Sequence, residues 1–193
     1  MNNSPQLTFA NKITICRIIS VPFFILTMLY YFPGREQLRY VAFGIFMFAV
    51  ISDVIDGYIA RTRDQKTKAG AILDPLADKI LLISAFLCLY AMGQYLGAIV
   101  LPMWLVIAVI SRDVMLLLGW LVIYMVQGDL NIQPSLWGKI STFFQISSVI
   151  GIFLQWNFSP ILWDMTAVFT FISAVDYIRA GIKIINNGNG GQV

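Results

Sequence analysis

The chain has 193 residues, of which 59% are hydrophobic and only 12% charged, with a net charge of +3 and no histidine. A soluble domain of this size carries roughly twice that charged fraction, and charge-free runs at 18–32, 40–52, 80–111, 114–126 and 143–156 have lengths that help to cross a bilayer. An ordinary soluble domain is therefore excluded, no nucleic-acid partner is expected, and the composition points to an all-α integral membrane protein surrounded by membrane lipids.

In chain order, the opening MNNSPQLTFANK is short and polar. The apolar stretch behind it is too long for a signal-peptide core, and neither a small-residue cleavage site nor an Arg- and Ser-rich transit composition is present, so no removable leader is expected. Hydrophobic runs and their punctuation predict six transmembrane helices, at about 12–32, 38–62, 70–92, 97–126, 137–157 and 160–185. Pro33-Gly34 is expected to close the first, Gly93 and Gly97 to flank a short turn after the third, and Gly128-Asp129 to end the fourth. Ser159-Pro160 has the form of an N-cap followed by proline in the first turn of the sixth. The fourth segment carries Arg112-Asp113 near its middle; cutting it there leaves pieces too short to span, so one long helix is expected. The tail from about 186 to 193, NNGNGGQV, is expected to be disordered. No internal repeat is visible, so 1–193 is expected to form a single membrane domain. Cys16 and Cys88 fall inside predicted helices as packing residues, with no disulfide or metal framework.

The basic residues orient the chain. With six spans, Lys12, Arg17, Arg61, Arg63, Lys66, Lys68, Lys139, Arg179 and Lys183 collect on the side of both termini, against Arg35 and Arg39 on the other. Positive charge marks the cytoplasmic side, so both termini are expected there.

Against this apolar background stand Asp53, Asp56, Asp74 and Asp78, within 26 residues of one another. Intramembrane carboxylates are costly and are usually there for a function. Asp53, Asp56, Gly57 and Ala60 are spaced at three and four residues, and Gly70, Asp74 and Asp78 at four, so each set shares one helical face. If the second and third helices pair antiparallel, the four carboxylates converge. Divalent cations would relieve their repulsion, and all-oxygen ligation selects hard ions such as Mg²⁺ or Mn²⁺. A helix cap or a paired interfacial charge is the plain explanation for any one of these residues, Asp53 included, but not for four at this spacing. The small residues suit close helix packing or a ligand lying against backbone. Pro75, inside the third helix, is either a packing kink or a source of a freed carbonyl.

Asp53-x₂-Asp56-Gly57-x₂-Ala60-Arg61-x₈-Gly70-x₃-Asp74-x₃-Asp78 resembles, at every fixed position, the signature of the CDP-alcohol phosphatidyltransferases. The resemblance implies transfer of a phosphatidyl group from CDP-diacylglycerol to an alcohol, with release of CMP. It implies that Asp53, Asp56, Asp74 and Asp78 bind two Mg²⁺ or Mn²⁺ ions and that Asp78 also deprotonates the attacking hydroxyl. By the same resemblance Asp53, Asp56, Gly57, Ala60, Arg61, Thr67, Gly70 and Asp74 form the CDP site. A homodimer is likewise implied. Because no transit peptide is present, a bacterial plasma membrane is expected, and because the aspartates flank the basic loop between the second and third helices, the site is expected at the cytoplasmic face. With no histidine available, a carboxylate base is the natural choice.

Two signals bear on the acceptor. The opening Asn11-Lys12-Ile13-Thr14-Ile15-Cys16-Arg17 and the run Gly138-Lys139-x₂-Thr142-x₂-Gln145 resemble the bacterial glycerol-phosphate branch, although Ser141 replaces a second lysine. Arg112-Asp113-Val114 and Pro134-Ser135 instead resemble the cardiolipin synthases of the family, whose acceptor is phosphatidylglycerol. Both acceptors carry a phosphate, for which Arg112 and Lys139 are the expected ligands; glycerol 3-phosphate is the favoured acceptor. An intramembrane pair with an aspartate from another helix is the structural alternative for Arg112, since sequence neighbours do not face each other on a helix. Trp104, Trp120, Trp137, Trp156 and Trp163 suit interfacial anchoring. A cation-coupled transporter is the rival of a different class, but the acids lie on one hairpin rather than at a repeat interface. A membrane prenyltransferase would carry two separated Asp-rich motifs.

Overall fold

A computed structural model describes residues 9–63, 68–93, 95–96, 100–127 and 135–189, with the side chains of 9–13, 56–63, 68–75, 120, 122–124, 126–127 and 182–189 left aside. Every regular element among the described residues is a helix: α1 (Phe9–Leu29), α2 (Glu36–Arg63), α3 (Lys68–Met92), α4 (Met103–Gln127), α5 (Leu136–Phe153) and α6 (Ser159–Asn189). Glu36–Ile55, Leu136–Phe153 and Ser159–Gly181 are long and apolar enough to cross a membrane, and Thr14–Leu29 is a shorter apolar helix. The chain divides into two compact units, Met1–Val100 and Leu101–Val193.

In the first unit α1 packs on both α2 and α3, and each of these contacts is more extensive than that of α2 with α3. Thr14, Arg17, Val21, Phe24 and Met28 are all buried and recur at three and four residues, which is one face of an α-helix. The facing stripe of α2 is Ala42, Phe46 and Ala49, small residues either side of a large one. Phe24 meets Phe46 with ring centroids 6.2 Å apart, and Arg17 meets Asp53, so the two helices run antiparallel. On α3, Ala77, Leu81, Ala85 and Leu89 supply a similar small–large alternation that lets helices approach closely. The outward faces are as apolar as the inward ones: Ile19, Phe23 and Leu26 on α1 and Phe48, Ile51 and Val54 on α2 are each half-exposed or more. Such a surface belongs in lipid, and the protein is a membrane protein.

The first helix ends earlier than expected. Pro33 and Gly34 do not close α1; they are the central pair of a turn that Arg35 N–H closes on the Phe32 carbonyl at 3.0 Å. Gly34 has φ 105°, the left-handed conformation that a type II turn demands after proline. At this end of the unit the Tyr31 hydroxyl reaches Glu36 Oε1 at 3.2 Å and the Tyr95 carbonyl at 3.3 Å. Glu36 also pairs with the buried Arg39 at 3.3 Å, and the Arg39 guanidinium lies over the Tyr40 ring. The α3–α4 connection is longer than expected, because α4 starts at Met103 rather than near 97. Gly93 is there for space: a Cβ would sit 3.0 Å from the Leu89 carbonyl and 3.2 Å from Val100. Helix α3 is unbroken through Pro75. Cys88 is buried as expected, but Cys16 is exposed on α1, so it is not a core residue; both thiols are free.

In the second unit α6 packs on both α4 and α5. Helix α4 is continuous through Arg112-Asp113, as expected. The α5–α6 seam is polar: Ser148 and Thr166 hydroxyls lie 2.8 Å apart, Ser141 and Thr170 3.3 Å apart. Thr166 also donates to backbone carbonyls, so these hydroxyls are satisfied within the helix pair. Helix α5 stops at Phe153, short of the predicted end, in a Schellman arrangement: Trp156 N–H bonds the Gly151 carbonyl at 2.9 Å and Gln155 N–H the Ile152 carbonyl at 3.0 Å. Gln155 takes the left-handed position itself, at φ 53°. Ser159 does not cap α6 as expected; its hydroxyl donates back to the Trp156 carbonyl at 2.7 Å. The helix that carries a serine cap is α5, where Ser135 Oγ accepts from Gly138 N–H at 3.0 Å. Helix α6 runs to Asn189, so the first residues of the expected disordered tail are helical. Trp104, Trp137 and Trp156 are exposed at or beside helix ends, positions that suit interfacial anchors, and Trp163 is partly buried.

Candidate active site

The aspartate motif occupies the last turns of α2 and the first turns of α3. Asp53 and Asp78 are the two members whose side chains are described. Those of Asp56, Gly57, Ala60, Arg61, Gly70 and Asp74 lie outside the described residues, and so does Thr67 entirely. Asp53 is 45% exposed and receives Arg17 Nη1 at 2.6 Å, while Arg17 is only 1% exposed. Asp78 is 26% exposed, with Lys79 Nζ at 3.9 Å from Oδ2. Both carboxylates thus keep an open face while a basic group stands behind each. Among the described residues no three metal-ligating side chains come together. The two that are described are carboxylates on contacting helices of one unit, and such oxygens suit hard divalent ions.

The residues expected at the acceptor phosphate belong to the second unit. Arg112 is 3% exposed, and its Nη1 lies 2.6 Å from Asp113 Oδ1; Asp113 is fully buried. This corrects the expectation that sequence neighbours cannot pair: the long arginine stem folds back along its own helix to the next residue. Nη2 also donates to the Ser173 hydroxyl of α6, while Nε has no partner among the described residues. The guanidinium sits beside Gly138, where an added Cβ would lie 3.5 Å from Nη2. Lys139, the next residue, is exposed in the first turn of α5. Arg112 thus lies beside Gly138 at the start of α5.

Ser141 and Gln145 lie differently. Ser141 is fully buried against Thr170 in the α5–α6 seam. Gln145 is also fully buried, and its amide has no hydrogen-bond partner among the described residues. Sequence reasoning missed two site-side residues, Arg17 and Ser173. Arg17 enters the sequence reading only through the charge count and the Asn11–Arg17 run; its place between Thr14 and Val21 on the α1 stripe is the signal for burial.

Comparison with known proteins bears on this arrangement as a whole. Residues 7–175 match the family model described as CDP-alcohol phosphatidyltransferase, so the match spans both units. A Mycobacterium tuberculosis protein named probable phosphatidylglycerophosphate synthase is 32% identical over 183 residues, covering 91% of this chain and 82% of that one. A Haemophilus influenzae CDP-diacylglycerol–glycerol-3-phosphate 3-phosphatidyltransferase is 33% identical over 175 residues, covering 86% and 89%. The Bacillus subtilis protein of the same name is 29% identical over 196 residues, covering 93% and 97%. With the complete aspartate signature on α2 and α3 and these matches along nearly its whole length, the chain belongs to the CDP-alcohol phosphatidyltransferase family.

Proposed function

We propose that the protein is a phosphatidylglycerophosphate synthase: it transfers the phosphatidyl group of CDP-diacylglycerol to glycerol 3-phosphate and releases CMP. The observation that carries this reading is the near-full-length similarity to relatives named for that activity. In the reaction, a glycerol hydroxyl oxygen forms a bond to the phosphorus that carries diacylglycerol. The bond from that phosphorus to the bridging oxygen breaks, and CMP leaves with the electron pair.

Asp78 accepts the hydroxyl proton, a role open to a partly exposed carboxylate in a chain without histidine. Asp53, Asp56, Asp74 and Asp78 would hold two Mg²⁺ or Mn²⁺ ions, which when bound supply charge neutralisation for the diphosphate. Asp53, Asp56, Gly57, Ala60, Arg61, Thr67, Gly70 and Asp74 form the CDP site. Arg112 and Lys139 bind the acceptor phosphate: one cation is held rigid by Asp113 and Ser173, the other is exposed and adaptable.

Six spans with cytoplasmic termini would place the Arg17–Asp53 end of the first unit at the cytoplasmic face of a bacterial inner membrane, where CMP is released and glycerol 3-phosphate arrives. A homodimer is part of the same reading. Cardiolipin synthesis with phosphatidylglycerol as acceptor is the alternative; the names of the relatives favour glycerol 3-phosphate.

The test is release of CMP from CDP-diacylglycerol on adding glycerol 3-phosphate. Asp78→Asn should abolish turnover while leaving CDP-diacylglycerol binding nearly intact, and normal turnover in that variant would remove Asp78 from the role of base.

A further inference from the structure

We propose that Arg17 is a positioning residue for the transfer reaction: from α1 it clamps the Asp53 carboxylate, so that this ligand meets the metal ion in one fixed orientation. The inference rests on the reading of Asp53 as a metal ligand given above. Arg17 is 1% exposed on an apolar helix, and its Nη1 lies 2.6 Å from Asp53 Oδ1. A guanidinium buried at such depth cannot swing out to water and stays with its counter-charge.

Its backbone position is set independently, by the stripe that continues through Val21 and Phe24 to the Phe24–Phe46 contact. The ion pair therefore runs from a buried anchor to a carboxylate that remains 45% exposed. A buried counter-charge of this kind orients a ligating carboxylate, and loss of such supporting contacts weakens metal sites. Two other accounts of the pair make different forecasts. A purely structural bridge would leave metal affinity unchanged when removed. A competing cation would, on removal, leave the site binding metal more tightly.

The experiment is Mn²⁺ binding to the detergent-purified full chain, followed by loss of the free-ion electron paramagnetic resonance signal with no lipid substrate present. Arg17→Ala should weaken Mn²⁺ binding by about 10- to 100-fold. It should also lower kcat while KM for glycerol 3-phosphate stays within about twofold. Arg17→Lys should recover part of the affinity, since it restores the charge without the planar fork. Ile19→Ala, on the outward face of α1, should bind as the wild type does. Should Arg17→Ala fail to yield monodisperse protein, Arg17→Gln takes its place with the same expected weakening. Unchanged or tighter Mn²⁺ binding in the charge-removing variant overturns the proposal. Absence of Mn²⁺ binding by the wild type would instead bring down the metal reading of the aspartates, and the clamp with it.

Discussion

The Arg112–Asp113 pair offers a sharp test of how this chain tolerates charge in its interior. Asp113 is fully buried and Arg112 3% exposed, with 2.6 Å between Nη1 and Oδ1. Asp113→Ala would leave a buried guanidinium with only the Ser173 hydroxyl and should cost about 3–5 kcal/mol. That is on the order of a hundred- to several-thousand-fold in the folding equilibrium. Arg112→Met with Asp113→Leu removes both charges at similar volume, and such replacements are commonly neutral or stabilising. Here the Ser173 hydroxyl would lose its partner, offsetting any gain by about 1 kcal/mol.

The assay is reversible unfolding in mixed micelles titrated with sodium dodecyl sulfate, run on wild type, both single variants and the double. The expected outcome is strong non-additivity, with the double variant within about 1 kcal/mol of wild type. That stable double variant should nonetheless show a much raised KM for glycerol 3-phosphate, because Arg112 is assigned to the acceptor phosphate. If Asp113→Ala costs less than about 1 kcal/mol, Arg112 is reaching water and the buried pair is misdescribed.

Two further substitutions probe helix packing and termination. A Cβ at Gly119 would lie 2.6 Å from Tyr177 Cε1 and 2.9 Å from Cζ; Gly119→Ala should therefore cost about 1–3 kcal/mol in the same assay. Much of that cost should vanish in a Tyr177→Leu background, and an equal cost in both would show that the phenol is not the obstacle. Gln155 holds the left-handed position after α5 at φ 53°, so Gln155→Gly should stabilise the protein by about 1 kcal/mol. A lowered melting temperature in that variant would mean that the Gln155 side chain contributes more than its backbone costs.

What could be read in the sequence was periodicity and the exceptional residue against it. Hydrophobic runs together with their Gly and Pro punctuation located the six helices found among the described residues, and the aspartate spacing placed its motif on α2 and α3. Helix ends were harder where two stop signals competed. Pro33-Gly34 is a turn signal, and it does make a turn, but α1 had already ended at Leu29. Gln155 ends α5 in a conformation for which glycine is the usual cue, so no cue was present.

The reach of arginine is hard to read from sequence. Arg17, assigned to the cytoplasmic end by the charge count, turns its long side chain inward to Asp53, a pairing that the count alone does not show. Judging Arg112 by Cβ direction ignored that its stem can double back to Asp113. Ser141, read as a missing phosphate ligand, proved to be a buried hydroxyl paired with Thr170, which only the α5–α6 register reveals.

The most direct measurement is acceptor-dependent product formation by the purified wild-type chain. Given CDP-diacylglycerol and Mg²⁺ or Mn²⁺, it should release CMP on addition of glycerol 3-phosphate, with phosphatidylglycerophosphate identified by mass spectrometry in equal amount. Phosphatidylglycerol, inositol phosphate and serine should give none. CMP release with phosphatidylglycerol alone would contradict the acceptor assignment, and no CMP with any of the four would contradict phosphatidyl transfer itself.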